Sequence, residues 1–345
     1  MISIISKILF ITVLLNIIPG VLFSQQHSIQ LLDNKNIPLI DSSLKTIEIE
    51  SIYQSGDNYI LLHRNPNGVS IMNERGLKES VLVAGGRGPF EISRPRYLQI
   101  VGNDLYIWDS ENLKLSRFTN DFEPNKELRG IRHAINGFSV NHHGQIAVFH
   151  QPRFQDEYVH IYEMDQANTL HSTLDLGSLS NEGRTLLFME NTGGLIWNKN
   201  DLVWIDPSMT VLFVYNILDN TLKEIPFEDS LFEVEPWNKP DDFNSNTFTA
   251  IREYINTNSR VISIRKLNDY ILVEIENFIN GNSTLTYHLF DQNYRIIGKI
   301  DLDEGSWVNY IRGHQDNKLY YWGNDYLETG NMDFIRVREV HIEAG

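Results

Sequence analysis

Cysteine is missing from all 345 residues. That closes two routes at once: a disulfide framework, and a lipid-modified cysteine behind an export signal. Positive charge is scarce as well. Only 29 Lys and Arg face 45 Asp and Glu, for a formal net charge of −16. A nucleic-acid surface needs a basic stripe that displaces counterions, so that class of partner is excluded, as is docking on anionic lipid by charge. Motifs of catalysis and metal binding are also lacking. No His-Glu-x-x-His, EF-hand or Gly-x-Ser-x-Gly pattern occurs, so no nucleophile or metal set can be picked out by spacing.

Long apolar runs are confined to the start of the chain. Lys7 precedes the run from Ile8 to Ile18, Pro19 and Gly20 break it, and Ser24 stands before Gln25. This is the charged, apolar and small-residue order of a secretory signal. The run is shorter than the ~20 residues a bilayer span requires. Residues 1–24 are therefore read as a signal, cleaved after Ser24 or alternatively after Gly20. The mature domain, 25–345, is expected to be periplasmic or secreted, not a lipoprotein, and without membrane insertion.

What fills the rest is a repeat. Six segments share a polar turn followed by an apolar, often aromatic run: 57–63 (DNYILLH), 103–109 (NDLYIWD), 143–150 (HGQIAVFH), 200–206 (NDLVWID), 268–274 (NDYILVE) and 317–323 (NKLYYWG). Turn chemistry and β-branched and aromatic bias mark hairpins, and the spacing of roughly 40 to 70 residues is that of propeller blades with loops of unequal length. Further strands flank each run, for example RYLQIVG (96–102) before and KLSRFTND (114–121) after. The expected fold is all-β: a six-bladed β-propeller of four-stranded antiparallel blades. The last blade is one strand short, so an N-terminal segment near 27–33 or 36–42 is expected to complete it and remove the open edges. Helical spacing is found only at 247–255, within an excursion of about 226–259 between the fourth and fifth blades. It is read either as a lid or as an insertion packed on a blade edge.

The stretch VAGGRGPFEISRPRYLQIVGNDLYIWDSENLKLSRF (83–118) resembles the six-bladed propellers common among exported bacterial proteins of the Bacteroidetes type, which are similar to the NHL-repeat propellers. In those proteins a Gly-x-Gly-Pro-Gly-Glu loop precedes an inner strand. Here the loop reads Gly86-Arg87-Gly88-Pro89-Phe90-Glu91, with Phe90 in the place of the third glycine. The resemblance implies the fold and a second-strand Asp, matched by Asp109 and Asp206. Glycines and an arginine suggest a phosphate cradle, but no helix or Gly-Lys-Ser/Thr follows. Gly85 to Gly88 are instead expected to supply positive φ at a blade crossing.

Two sets of residues map to the face that surrounds the central channel. The first is a strand-end ring of His63, Asp109, His150, Asp206 and Glu274. Equivalent positions on neighbouring blades stand too far apart to share a metal, and an Asp at a strand end caps its own turn, so the ring is read as structural. The second set lies on inner strands and the loops before them: Arg87, Arg94, Arg96, Arg265, Arg312 and His314, with Glu48 and Glu50. Of these, Arg87, Arg96, Arg312 and His314 are the ligand-binding candidates, because guanidinium pairs bidentately with carboxylate or phosphate. Trp197, Trp237 and Trp307, nearer loops, are candidates for stacking on sugars.

The leading expectation is a monomeric, non-catalytic binding propeller with a small anion, glycan or protein as partner and no cofactor. The alternative is a lyase, lactonase or esterase built around a channel metal, calcium or zinc. Fold alone decides neither.

Overall fold

The computed structural model describes residues 28–40, 48–64, 67–83, 86–119, 121–131, 135–150, 157–165, 169–187, 192–237, 245–302, 310–325 and 332–343. The expected signal and its cleavage site, Gly85 and Trp307 lie outside them.

Six four-stranded antiparallel sheets make up the domain. Blade 1 comprises β2 (Glu48–Ser55), β3 (Asn58–Arg64), β4 (Gly68–Asn73) and β5 (Lys78–Val83). Blade 2 comprises β6 (Pro95–Val101), β7 (Asp104–Asp109), β8 (Lys114–Thr119) and β9 (Pro124–Leu128). Blade 3 follows with β10 (Ile135–Val140), β11 (Ile146–His150), β12 (Glu157–Met164) and β13 (Leu170–Ser178). Blade 4 is β14 (Gly194–Asn198), β15 (Asp201–Ile205), β16 (Val211–Asn216) and β17 (Thr221–Pro226). Blade 5 is β18 (Arg260–Leu267), β19 (Tyr270–Ile279), β20 (Asn282–Phe290) and β21 (Ile296–Leu302). Each runs from inner to outer strand in chain order.

Blade 6 breaks that order. Its first three strands are β22 (Ile311–Gln315), β23 (Lys318–Asp325) and β24 (Met332–Glu343), and its outer strand is β1 (Ser28–Pro38). β1 pairs antiparallel with β24 from Ser28↔Glu343 to Pro38↔Phe334. The last blade is thus sealed by the N-terminal strand, and the sheet edge a three-stranded blade would expose is covered.

The second strands are buried almost throughout, as in β7, β11 and β15, because both faces of the sheet press on neighbouring blades. Six apolar clusters fill the six gaps between blades. Ile60 and Leu62 meet Leu98 and Ile107 between blades 1 and 2, and Trp108 meets Val148 between 2 and 3. Phe149 meets Trp204, Val203 meets Val273, Leu272 meets Leu319, and Tyr320 meets Leu61 around the rest of the ring. Each such side chain contributes about 1.5–3 kcal/mol by leaving water. Stability is spread around the ring.

A seventh, satellite cluster stands apart. Helix α1 (Asn181–Leu187), in the connection from blade 3 to blade 4, contributes Leu186. Helix α2 (Ser245–Ile255), in the connection from blade 4 to blade 5, contributes Ile251, Tyr254 and Ile255, and Val234 and Trp237 pack on them. Trp237 meets the Tyr254 ring edge-on at 4.8 Å, and the Tyr254 hydroxyl donates to the Glu235 carbonyl at 2.6 Å. Below the helix, Arg260 and Glu276 form an ion pair with only 4% and 5% of their side chains exposed. The excursion is a packed insertion with its own small core. Among the described residues no helix is long and apolar enough to cross a membrane.

Candidate functional site

All six inner strands line one central cavity of about 960 Å³, within the size range of small-molecule sites. The feature that shapes its wall is a repeated break in register. In β2 the pairing with β3 jumps from Ile49↔His63 to Ser51↔Leu62, leaving Glu50 as the extra residue. The same break leaves out Arg96 in blade 2, Asn136 in blade 3, Ile262 in blade 5 and Arg312 in blade 6. Each is a β-bulge, which bends the strand and re-aims a side chain. All five residues line the cavity. In blades 1, 2, 3 and 5 the break lies level with His63, Asp109, His150 and Ile275. In blade 6 it lies deeper, level with Tyr321.

Charge in the cavity opposes the charge of the chain. Arg96, Arg265, Lys266 and Arg312 line it, against Glu50 and Asp316. Arg265 donates to the Ile311 carbonyl, while its Nε, buried, has no partner among the described residues. Burial disfavours the Arg312 charge, and Glu50 and then Glu274 partly restore it. His314 is half-buried on the cavity wall. Burial, reinforced by the nearby Arg265 charge, pushes it down to about 3, so it is neutral at ordinary pH. Its Nδ1 has no partner among the described residues. Tyr53 on the same wall is pushed up to about 12, chiefly by burial.

Of the four ligand-binding candidates, the structure brings Arg96, Arg312 and His314 to one cavity and leaves Arg87 out. Arg87, with 78% of its side chain exposed, pairs with Glu111 at 2.8 Å on the loop side of blade 2. The residue types gave no hint of this, because Glu111 approaches only once the β7–β8 turn forms. Arg94 is likewise exposed.

The loop that carries Arg87 is built for structure. The Ser93 and Arg94 backbone N–H groups donate to Asp109, as do those of Glu111 and Asn112. The Gly88 N–H donates to Glu91 at 2.7 Å, and the Phe90 N–H to Glu127 at 2.9 Å, with buried Lys114 paired to Glu127 beneath. The expected role of its glycines is corrected here. Neither Gly86 nor Gly88 has positive φ; a Cβ on Gly86 would lie 2.0 Å from Glu91 Oε2 and would displace the carboxylate that accepts the Gly88 N–H. The positive φ belongs to Phe90, at 57°.

Each member of the strand-end ring hydrogen-bonds within the protein. Asp109 is fully buried and accepts the four N–H bonds just described. Asp206 accepts from the Ser180 and Ser208 N–H groups at 3.1 and 2.8 Å, and burial pushes its carboxyl up. His63 Nε2 meets the Ser70 hydroxyl at 2.8 Å, and His150 Nε2 the Tyr162 hydroxyl at 3.0 Å. Glu274 does not belong to that ring. It lies inside β19, level with Ser263 rather than at the strand end, because β19 runs on to Ile279. It is buried and accepts from the Ser263 hydroxyl at 2.8 Å and the Ile311 N–H at 3.1 Å. Burial raises its carboxyl. Among the described residues no three His, Asp or Glu side chains converge as a metal-binding group.

The tryptophans divide differently from expectation. Trp197 is on the inner strand of blade 4, lines the cavity and donates its indole N–H to the Ser139 carbonyl at 3.1 Å. Trp237 belongs to the satellite core. Trp322 also lines the cavity.

No protein-family model matches the chain, and no curated protein matches it by sequence. Its fold has clear counterparts among solved structures. A member of the DUF4221 family from Bacteroides vulgatus superposes with a TM-score of 0.63 at 11% identity, covering 93% of this chain and 100% of that one. A Bacteroides fragilis protein whose name assigns it to export superposes at 0.59 with 11% identity, covering 92% and 96%. Identities this low speak for architecture: the chain is a six-bladed β-propeller of the form found in these Bacteroides proteins.

Proposed function

We propose that this is an exported binding propeller whose ligand is a small anion held in the central cavity, with Arg96 and Arg312 as the charged contacts and His314 as a neutral hydrogen-bonding neighbour. One observation carries the reading: the bulges of blades 2 and 6 turn arginines into the cavity, where neither makes an ion pair among the described residues. A guanidinium desolvated without a direct ion pair keeps part of that cost, and an incoming anion offsets it. The leader-like start and the name of the Bacteroides fragilis protein support export. The channel-metal enzyme has no convergent donor set behind it among the described residues.

The test is a thermal-shift screen of dialysed protein against organic and inorganic anions and neutral glycans, repeated on Arg96→Ala and Arg312→Ala. Anions should raise Tm in the parent and not in the variants. Stabilisation by neutral glycans that survives both substitutions would sink the reading.

A further inference from the structure

The cavity wall does not present the same chemistry on all sides. At the level of the bulges, blades 1 to 3 contribute Glu50, Arg96 and Asn136, and blade 6 adds Arg312 a step deeper. Blades 4 and 5 contribute Gly193 and Ile262, with Ile196 and Ile264 below them. At that level one side is polar and cationic and the other is apolar, with Arg265 and Lys266 of blade 5 lying further along β18.

Two details give the apolar side the character of a receptor. Gly193 and Gly194 have φ of 70° and 144°, and a Cβ on Gly193 would stand 2.8 Å from the Ile205 carbonyl oxygen. The chain there packs too closely on Ile205 and Ile264 to carry side chains, so bare backbone lines this part of the cavity. At its rim the Thr192 hydroxyl, on a residue only 2% exposed, has no hydrogen-bond partner among the described residues. A buried hydroxyl left unpaired costs about 1–3 kcal/mol, which a ligand atom in the cavity would relieve.

The charge count limits the ligand further. Arg96 and Arg312 flank Glu50, so that sector carries one net positive charge. Arg265 is faced by the buried Glu274, whose field acts on it. One carboxylate neutralises the sector. A phosphate dianion would leave it net negative in a site of low dielectric, where uncompensated charge is disfavoured.

We propose that the cavity selects a monoanionic organic acid with an apolar body, its carboxylate on Arg96 and Arg312 and its body against Ile262, Ile264 and Ile196 of blades 4 and 5. This deepens the anion reading above and rests on it.

The probes are acetate, butanoate, hexanoate and octanoate, with inorganic phosphate and hexylamine as controls. Binding is followed by calorimetry and by tryptophan fluorescence, since Trp197 and Trp322 line the cavity. Affinity should rise about fourfold for each added methylene that is buried, and hexylamine and phosphate should not compete with octanoate. Arg96→Met and Arg312→Met should each weaken octanoate at least about tenfold, and Ile262→Asn should flatten the chain-length series. If Arg312→Met fails to fold, Arg96→Met carries the test. Phosphate binding as tight as octanoate, or no dependence on chain length, overturns the proposal while the anion reading survives. Octanoate binding unchanged in the arginine variants overturns it too. If no anion binds at all, both fall.

Discussion

Two rings of polar residues stand one strand apart, and they behave differently. The outer ring, His63, Asp109, His150 and Asp206, closes the ends of the second strands, and its bonds run to backbone and hydroxyl groups of its own blade and loops. The inner ring, Glu50, Arg96, Asn136 and Arg312, sits on bulges of the first strands and faces the cavity. In blades 1 to 3 the two sets stand at the same height, yet one fixes turns and the other faces the cavity. A polar residue's role here follows from which strand carries it and whether its register is regular.

The comparison depends first on the inner strands keeping their distance, and Gly313, next to Arg312, sets that distance at the seam of blades 6 and 1. A Cβ there would lie 1.6 Å from the Ile52 carbonyl oxygen, a backbone atom that cannot swing away. Gly313→Ala should cost about 3 kcal/mol or more in urea unfolding, the largest effect expected. A loss under about 1 kcal/mol would mean the seam is loose.

Within the outer ring, Asp109→Ala leaves four N–H donors without their acceptor. It should destabilise by about 2–3 kcal/mol and leave anion affinity unchanged at temperatures where the variant is folded. Loss of binding from the folded variant would merge the two rings into one site.

The third effect is on pH. His314 sits at about 3 in the folded protein against an ordinary value of 6.5. Between those values the unfolded chain holds the extra proton, so stability is lost as pH falls from about 6.5 toward 3 and is fully present above. His314→Gln should flatten urea-derived stability between pH 4.5 and 6.5. An unaltered slope would show that His314 is reached by water and titrates normally.

The smallest stability change belongs to Arg96→Ala, within about 0.5 kcal/mol of the parent, since Arg96 makes no ion pair among the described residues. A drop comparable to that of Asp109→Ala would assign Arg96 to structure.

The outlines of this molecule were legible because they are written in apolar periodicity. All six second strands, the helix at 245–255 and the sealing of the last blade by β1 follow from buried runs and turn residues. The outer strands β9, PNKEL, and β17, TLKEIP, carry no such pattern. Most of their residues are exposed or half-buried, so nothing forces an apolar pattern on them. α1, NEGRTLL, is too short to show helical spacing and carries a glycine. The bulge ring was hidden for another reason. A register break is a relation between two strands, and the bulged strand's own sequence does not announce it. Arg87 and Arg96 look alike in the chain, and only the fold sends one to Glu111 and the other to the cavity.

The strand that seals blade 6 sets a waiting time. Asn34 and Glu339, bonded across the seam, are 305 residues apart in the chain. A protein made from its N-terminus has β1 first and β24 last, so five blades can pair locally while β1 has no partner. Closure cannot precede the final strand, and loop-closure entropy makes it a slow step. Until then Ile37 and Leu39, buried in the finished ring, remain wetted. The unclosed chain is the form in which neighbouring molecules can trade first strands, so crowding during refolding should favour exchanged dimers over misfolded monomers.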